Sequence, residues 1–375
     1  MKILKILGII ILVIILSLIV LFFFAKNKLA RMKDKGDLAK VINEESIKFI
    51  NNGNSLGLVV GIVKNGQVYL KGYGTIKKGE NIAPDLTTIF ELASTSKLFT
   101  TSTLQILSDH NRIDIDEKIQ NILKDKVTLP TIAQNTTLQN LATHTSGFPS
   151  LPKSFIAKMT DAGNPYKDLV KKDIYNYLIN CEEKNPEGTF EYSNFGMGLL
   201  GHLLEIKTNR NYEQLVKETL LDPLEMKSTF INVDISKNYK IAQGYNENNE
   251  PTPIWIDNVL TGAGSFLSNG EDMIKFIKAN LTEEASTISR SLINSHRNQL
   301  NNQTGLGWLY PENIDKLMGQ KSIVWHNGMA GGYSSFIAID KTNNYGVIIL
   351  SNKSVDITTF GMKLTMYART QSWKN

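Results

Sequence analysis

The first apolar feature of the chain is also its longest. Ile6 to Ala25 runs without a polar interruption longer than one serine, which is enough helix to cross a bilayer. After it the pattern changes to short alternations and amphipathic stretches. Leu38, Val41, Ile42, Ile47 and Ile50 recur at helical spacing within residues 34–52, predicting one short helix. Residues 56–63 and 67–73 read as two strands joined at Asn65-Gly66; both residues tolerate positive φ, so a hairpin is expected. Helical patterns dominate from Lys97 to about Leu221, with loops over residues 124–135 and 145–151. An apolar helix is expected over residues 197–206, and Leu221-Asp222-Pro223-Leu224 closes a later one. Thr261-Gly262-Ala263-Gly264-Ser265 reads as a turn-rich return. Residues 323–329 read as a strand, 335–340 and 345–351 as a second hairpin around Thr342-Asn343-Asn344, and 357–370 as a closing helix.

Strands therefore lie at both ends of the sequence, with helices between. For the strands to be covered, the two ends of the chain must meet in one sheet. The fold class expected is α+β: an antiparallel sheet flanked by helices, with an inserted mainly helical subdomain. The cleft between the two parts is the natural place for a site.

Charge sharpens the picture at the N-terminus. The 375 residues carry a net charge of +5, but residues 1–40 alone hold +6, so the rest stands at −1. That near-neutral body argues against nucleic acid as a partner. Lys2 and Lys5 precede the apolar run as a signal's basic region would. Its end is a poor cleavage site, because Phe23 and Lys28 stand where small residues are wanted before Ala25 and Ala30. The expectation is an uncleaved anchor: one N-terminal transmembrane helix at 1–25, a basic linker at 26–36 and a globular domain at 37–375. Basic residues on both flanks leave the orientation to be decided by function. Cys181 is the one cysteine, which excludes an intrachain disulfide.

Candidate chemistry begins at Phe90-Glu91-Leu92-Ala93-Ser94-Thr95-Ser96-Lys97. Ser94 and Lys97, three apart at a helix start, share a helical face. A desolvated, neutral lysine there can take the serine's proton and make it a nucleophile. Backbone N–H groups at the helix start suit a developing oxyanion. Ser150 and Lys153 repeat the spacing, but Pro149 and Pro152 put that copy in a loop. Tyr192 and Asn194 sit on a turn before a helix, where a phenol can relay a proton and an amide can bind a peptide group. The same pair would also suit an Asx turn with a packed tyrosine. His144, in Thr143-His144-Thr145-Ser146-Gly147, has the form of a base and the setting of a buried histidine that ties a turn together.

Taken together, Ser94-Thr95-Ser96-Lys97, Tyr192-Ser193-Asn194 and His326-Asn327-Gly328, with Asp222-Pro223-Leu224 and Gly328-Met329-Ala330-Gly331-Gly332-Tyr333 around them, resemble the serine β-lactamase and penicillin-binding-protein superfamily. The branch of class C β-lactamases, D,D-carboxypeptidases, D-aminopeptidases and related esterases is the most similar, over about residues 40–370. The resemblance implies a β-lactamase/transpeptidase-like fold and an acyl-enzyme on Ser94. It implies that Lys97 and Tyr192 share the proton traffic and that Asn194 binds the substrate amide. It gives the oxyanion hole to the backbone N–H groups of Ser94 and Met329, beside Gly328. His326 would stand where a lysine usually orients the substrate and, titrating near ~6.5, would be charged part of the time. Neither a metal nor an organic cofactor is implied.

There is no Ser-Asp-Asn second motif, which argues against class A β-lactamases and the larger synthetic penicillin-binding proteins. What remains is a membrane-anchored serine hydrolase with its catalytic domain outside the cytoplasm, acting on cell-wall D-alanyl peptides or D-alanyl esters. The alternatives are a β-lactamase or general esterase of the same fold, or a non-catalytic protein that senses ligands in the same cleft. Oligomeric state is not legible in the sequence.

Overall fold

The computed structural model describes residues 36–374, apart from 182, 235, 258, 298–302 and 318, together with isolated positions before residue 24. Most of the expected anchor over Ile6–Ala25 thus lies outside the described residues. Among the described residues no helix is long and apolar enough to cross a membrane.

Helix α1 (Leu38–Asn51) begins where Asp37 accepts the Ala39 N–H, a side-chain cap for an otherwise unpaired donor. Strands β1 (Gly57–Lys64) and β2 (Gln67–Gly74) form the expected hairpin. Asn65 and Gly66 turn it at φ 50° and 80°. Strand β3 (Phe90–Glu91) pairs with β4 (Leu267–Ser268) beside the site. Near the C-terminus come β5 (Val324–Met329), β6 (Ser334–Asp340) and β7 (Tyr345–Ser351).

The five long strands make one antiparallel sheet in the order β2-β1-β7-β6-β5. Leu58 faces Ser351 across the β1–β7 pair, so the two ends of the chain do meet in the sheet. Both faces of β1 are covered, which explains why its apolar run is continuous rather than alternating. Leu58, Val60 and Ile62 pack toward α1 and the closing helix (Thr358–Thr370), with Val347, Ile349 and Leu364. Val59 and Val63 point the other way, into a core with Phe99, Met273, Phe276, Ile337 and Ile348.

The intervening helices form their own core around Leu107, Leu123, Leu141, Phe148, Phe195 and Leu203. Helix α2 (Lys97–Asp109) joins the two parts. It gives Leu98, Phe99 and Ile106 to the sheet-side core and Leu104 and Leu107 to the helical one. Every residue from Lys97 to Leu107 is buried. A helix buried all round is rigidly placed, and its N-terminus opens into the cleft between the cores.

Two local expectations differ from the structure. The helix expected to start at Met197 is α3, Asn194–Thr208, because Ser193 caps it by accepting the Gly196 N–H at 2.8 Å. Asn194 is therefore its first residue rather than part of the preceding turn. Residues Thr261–Gly264 make one helical turn. The helix expected to close at Leu221-Asp222 does end there, through a wide π-type turn, Lys217–Leu221.

Candidate active site

From Phe90 to Thr100 every residue except Ser94 is buried. Ala93, immediately before it, holds φ 48°, a left-handed conformation that costs a residue with a Cβ about 1–2 kcal/mol. Such strain is retained where surrounding packing enforces it; here it turns Ser94 out of β3 and onto the 3₁₀ turn Ala93–Ser96 that leads into α2.

Lys97 has no exposed surface. Its Nζ lies 3.0 Å from Ser94 Oγ and donates to the Ala263 carbonyl at 2.6 Å. Burial holds the ammonium down to about 7, with the Asp257 charge pulling the other way. Near neutrality a large fraction is thus the free amine, which has a lone pair for the serine proton. Thr100 donates to the Gly262 carbonyl at 2.6 Å, and Ser96 Oγ accepts the Phe266 N–H at 3.1 Å. These bonds fix α2 to residues 262–266 and hold the pair in register.

The Tyr192-Ser193-Asn194 turn is built around its middle residue. Ser193 Oγ donates to the Pro149 carbonyl at 2.7 Å while capping α3. That leaves Tyr192 and Asn194 at the cleft. Lys97 Nζ sits 5.0 Å from the centre of the Tyr192 ring. Burial raises the phenol well above its ordinary range, while its hydrogen bond with Ser94 opposes that rise. Tyr192 is therefore a protonated donor at neutral pH, suited to protonating a leaving group.

Two histidine rings flank Tyr192. His144 is 4.5 Å away at 30°, and His326 is 6.1 Å away at 48°. His144 Nδ1 accepts the Ser193 N–H at 3.1 Å, and its carbonyl accepts the Glu191 N–H at 2.7 Å. It ties the two loops together, as the plainer expectation had it. His326 Nδ1 lies 2.5 Å from the Asn327 carbonyl, so that nitrogen carries the proton. Burial, reinforced by Lys97, drives His326 down to about 3, and burial likewise drives His144 well below its ordinary value. Both are neutral at physiological pH. The partly charged His326 expected from an ordinary imidazole is corrected: the ring is 1% exposed and offers an unpartnered Nε2 lone pair rather than a charge.

Strand β5 brings Gly328 and Met329 against the nucleophile. A Cβ on Gly328 would lie 2.3 Å from the Leu92 carbonyl and 2.9 Å from Ser94 N; only glycine admits this approach. Met329 is 58% exposed and lines the cavity with Ser94 and Asn194. The structure thus brings together all seven residues singled out from the sequence: Ser94, Lys97, Tyr192, Asn194, His326, Gly328 and Met329. The second Ser-x-x-Lys does not join them. Lys153 is exposed and pairs with Glu183 at 3.1 Å.

Two residues escaped the sequence reading. Glu91 and Asp257 line a cavity of about 110 Å³ with Ser94, Tyr166, Asn194 and Trp255. Burial lifts Glu91 to about 8, opposed by the Trp255 N–H, and burial also raises Asp257. Glu91 left a signal, a charge between Phe90 and Leu92 in an apolar strand. Asp257 left none, since it reaches the site from a loop without a motif. On the far side of Tyr192 lies a wider groove of about 680 Å³, walled by Phe190, Tyr310 and Trp325. Among the described residues no group of three or more His, Cys, Asp or Glu is placed to hold a metal ion.

Comparison with known proteins agrees with this architecture. Protein flp of Staphylococcus aureus (strain MW2) is 28% identical over 317 residues, covering 81% of this chain and 61% of that protein. Unguisins hydrolase ungD' of Aspergillus campestris (strain IBT 28561) is 24% identical over 365 residues, covering 90% of this chain and 66% of its own length. The chain therefore spans about three fifths of the staphylococcal relatives and slightly less than two thirds of the fungal one. In fold it is similar to a β-lactamase/D-alanine carboxypeptidase from Pseudomonas syringae, with a TM-score of 0.75 at 22% identity over 89% of this chain and 98% of that one. A class C β-lactamase superposes with a TM-score of 0.76 at 20% identity, over 89% and 95% of the two chains. The family model for beta-lactamase matches residues 38–366, and the chain belongs to that family, within the serine β-lactamase and penicillin-binding-protein-like superfamily.

Proposed function

We propose that this chain is a serine hydrolase that works through an acyl-enzyme on Ser94, with D-alanyl esters or D-alanyl peptides of the cell wall as its substrate class. The observation that carries the reading is the contact between Lys97 and Ser94: a fully buried amine, half neutral near pH 7, 3.0 Å from a hydroxyl at a cleft. In acylation, Lys97 takes the Ser94 proton while Oγ bonds to the substrate carbonyl carbon. The oxyanion is received by the backbone N–H groups of Ser94 and Met329. The bond to the leaving alcohol or amine then breaks, and Tyr192 hands that group its proton, to be reprotonated from Lys97. In deacylation a water gives up its proton to the same pair as its oxygen bonds to the acyl carbon; the bond from that carbon to Ser94 Oγ then breaks, and the pair returns the proton to Oγ. Asn194 is suited to hold the acyl part, and the wide groove beyond Tyr192 has room for a bulky leaving group.

Buried, neutral His326 supports an ester or peptide hydrolase over an efficient β-lactamase, because it gives the substrate carboxylate no permanent positive charge to face. A sensor that only binds ligand has no use for a lysine held near neutrality beside a serine. Intact-mass analysis after treatment with a fluorophosphonate tests the reading. The expected result is a single adduct on the wild type and none on Ser94→Ala. A wild type that takes no adduct from this probe or any other acylating probe would instead favour the sensor.

In the same proposal residues 1–25 are a retained single-pass anchor, 26–36 a basic linker, and the domain from 37 faces the outside of the cell, where D-alanyl substrates are found. Protease shaving of intact cells should release the domain. A domain protected until the membrane is broken would contradict the placement.

A further inference from the structure

The cavity beside Ser94 is walled on one side by acid and aromatic groups that the reaction above does not use. Glu91 is 2% exposed, and the contact recorded for its carboxylate is the Trp255 N–H at 3.5 Å, a distance at which little hydrogen bonding remains. Asp257 accepts the Val259 and Leu260 N–H groups at 2.9 and 2.7 Å through one oxygen, while the other has the Ser265 hydroxyl at 3.4 Å. The charged groups acting on the two carboxyls are Asp257 on Glu91 and Lys97 on Asp257. Tyr333, which also feels Glu91, spends its hydroxyl on the Ala242 carbonyl at 2.7 Å. Tyr166 and Trp255 meet edge to face at 5.4 Å on the same wall. A buried carboxyl without a strong partner is costly; alone, Glu91 is mostly protonated at pH 7, and an ammonium seated beside it favours the carboxylate. Here the carboxyl opens into a cavity that also holds the nucleophile, and aromatic faces next to carboxylates are the usual surroundings of a bound ammonium.

We infer that the pocket formed by Glu91, Asp257, Tyr166 and Trp255 receives a free ammonium on the acyl half of the substrate, so that the enzyme acts on α-aminoacyl esters or amides rather than on N-acylated peptides. The inference rests on the hydrolase reading and narrows it. The α-nitrogen of an aminoacyl group is two bonds from the carbonyl carbon that Ser94 attacks, so it must lie in the cavity that Ser94 lines. At about 110 Å³ that cavity suits a small residue such as alanine. In an N-acylated peptide the same nitrogen is uncharged and offers these carboxyls no ammonium. Glu91 is thereby a specificity residue.

The test compares kcat/KM for D-alanyl, N-acetyl-D-alanyl and propionyl esters of one alcohol, with the purified full-length protein in detergent at pH 7, alongside the fluorophosphonate adduct. The D-alanyl ester is expected to exceed both others by at least about tenfold, and Glu91→Gln to bring that ratio to within about threefold of one. Should Glu91→Gln not fold, Trp255→Leu alters the same wall from another segment and is expected to lower the ratio. An adduct on Ser94 with a wild-type ratio near or below one overturns the inference and leaves the hydrolase standing. A high ratio that survives in folded Glu91→Gln also overturns it, by putting the amine elsewhere. No adduct and no hydrolysis of any of the three esters overturns the hydrolase reading, and this inference with it.

Discussion

Lys97 Nζ is shared between the Ser94 hydroxyl at 3.0 Å and the Ala263 carbonyl at 2.6 Å. The carbonyl takes one N–H and so fixes how the amine is turned. As the free amine, its lone pair is left for the serine proton; as the ammonium, it has none to offer. Burial brings that change to about pH 7.

The pH profile follows from this. For an uncharged ester, kcat/KM should rise from pH 5.5, pass half-maximum near 7 and level off above about 8, because only deprotonated Lys97 can accept the proton. Lys97→Met should cost on the order of 10²–10⁴-fold, the usual worth of a positioned base. A profile flat through 7 would show that another group takes the serine proton.

His326 leads to the opposite kind of expectation. Held near 3, it does not change charge between pH 5.5 and 8. Comparing two substrates with the same acyl group, one with a carboxylate beyond the scissile bond and one without, cancels most of the Lys97 dependence. The ratio of their kcat/KM values should stay constant over that range. A tenfold rise toward low pH would mean that the ring becomes charged when substrate binds.

Gly328→Ala tests the closeness of β5 to the nucleophile. The new methyl would meet the Leu92 carbonyl at 2.3 Å, Ser335 Oγ at 2.6 Å and Ser94 N at 2.9 Å. Two of these are backbone atoms of the segment that carries the nucleophile, so Ser94 itself must shift. Overpacking should cost about 1–3 kcal/mol of stability. A displacement of about 1 Å at the nucleophile should cost on the order of 10²-fold in kcat. Thermal unfolding and ester hydrolysis measured together separate the two losses. Full activity would show that the contact is slack.

How much of this was legible in the sequence depends on the range of the interaction that decides each feature. Asn65-Gly66 specifies its hairpin locally, and the apolar runs at both ends predict a shared sheet because each needs cover on two faces. Ser94 and Lys97 were legible because three-residue spacing puts both on one helical face, whereas the spacing of Tyr192 and Asn194 suited an Asx turn equally well, and their place in the site came from the resemblance of the three motifs to the superfamily. The charge state of His326 was not legible. It depends on how completely the ring is buried and on the nearby Lys97, which belong to the tertiary structure. Asp257 was missed for the same reason, since its meeting with Glu91 joins segments far apart in the chain. The start of α3 was misplaced because apolar spacing shows where a helix packs, whereas its first residue is set by the Ser193 cap.

His144 is packed against Tyr192, and its role can be separated from that of a base. It is fully buried at φ 57°, with its ring 4.5 Å from the phenol ring and Nδ1 accepting the Ser193 N–H. His144→Ala leaves that N–H buried without an acceptor, a cost of about 1–3 kcal/mol, and removes the surface on which Tyr192 rests. Asparagine tolerates the left-handed backbone better than most residues and offers a side-chain oxygen, so His144→Asn should lose less stability than His144→Ala. Both should lower kcat, the alanine variant by tens of fold, because Tyr192 is no longer held over Ser94. Neither should move the half-maximum near pH 7, since that midpoint belongs to Lys97 and His144 is neutral throughout the range. The measurement is the full pH profile of kcat/KM for each variant. A reduced rate with an unmoved midpoint identifies His144 as a positioning residue, whereas loss of the midpoint would make it the titrating base.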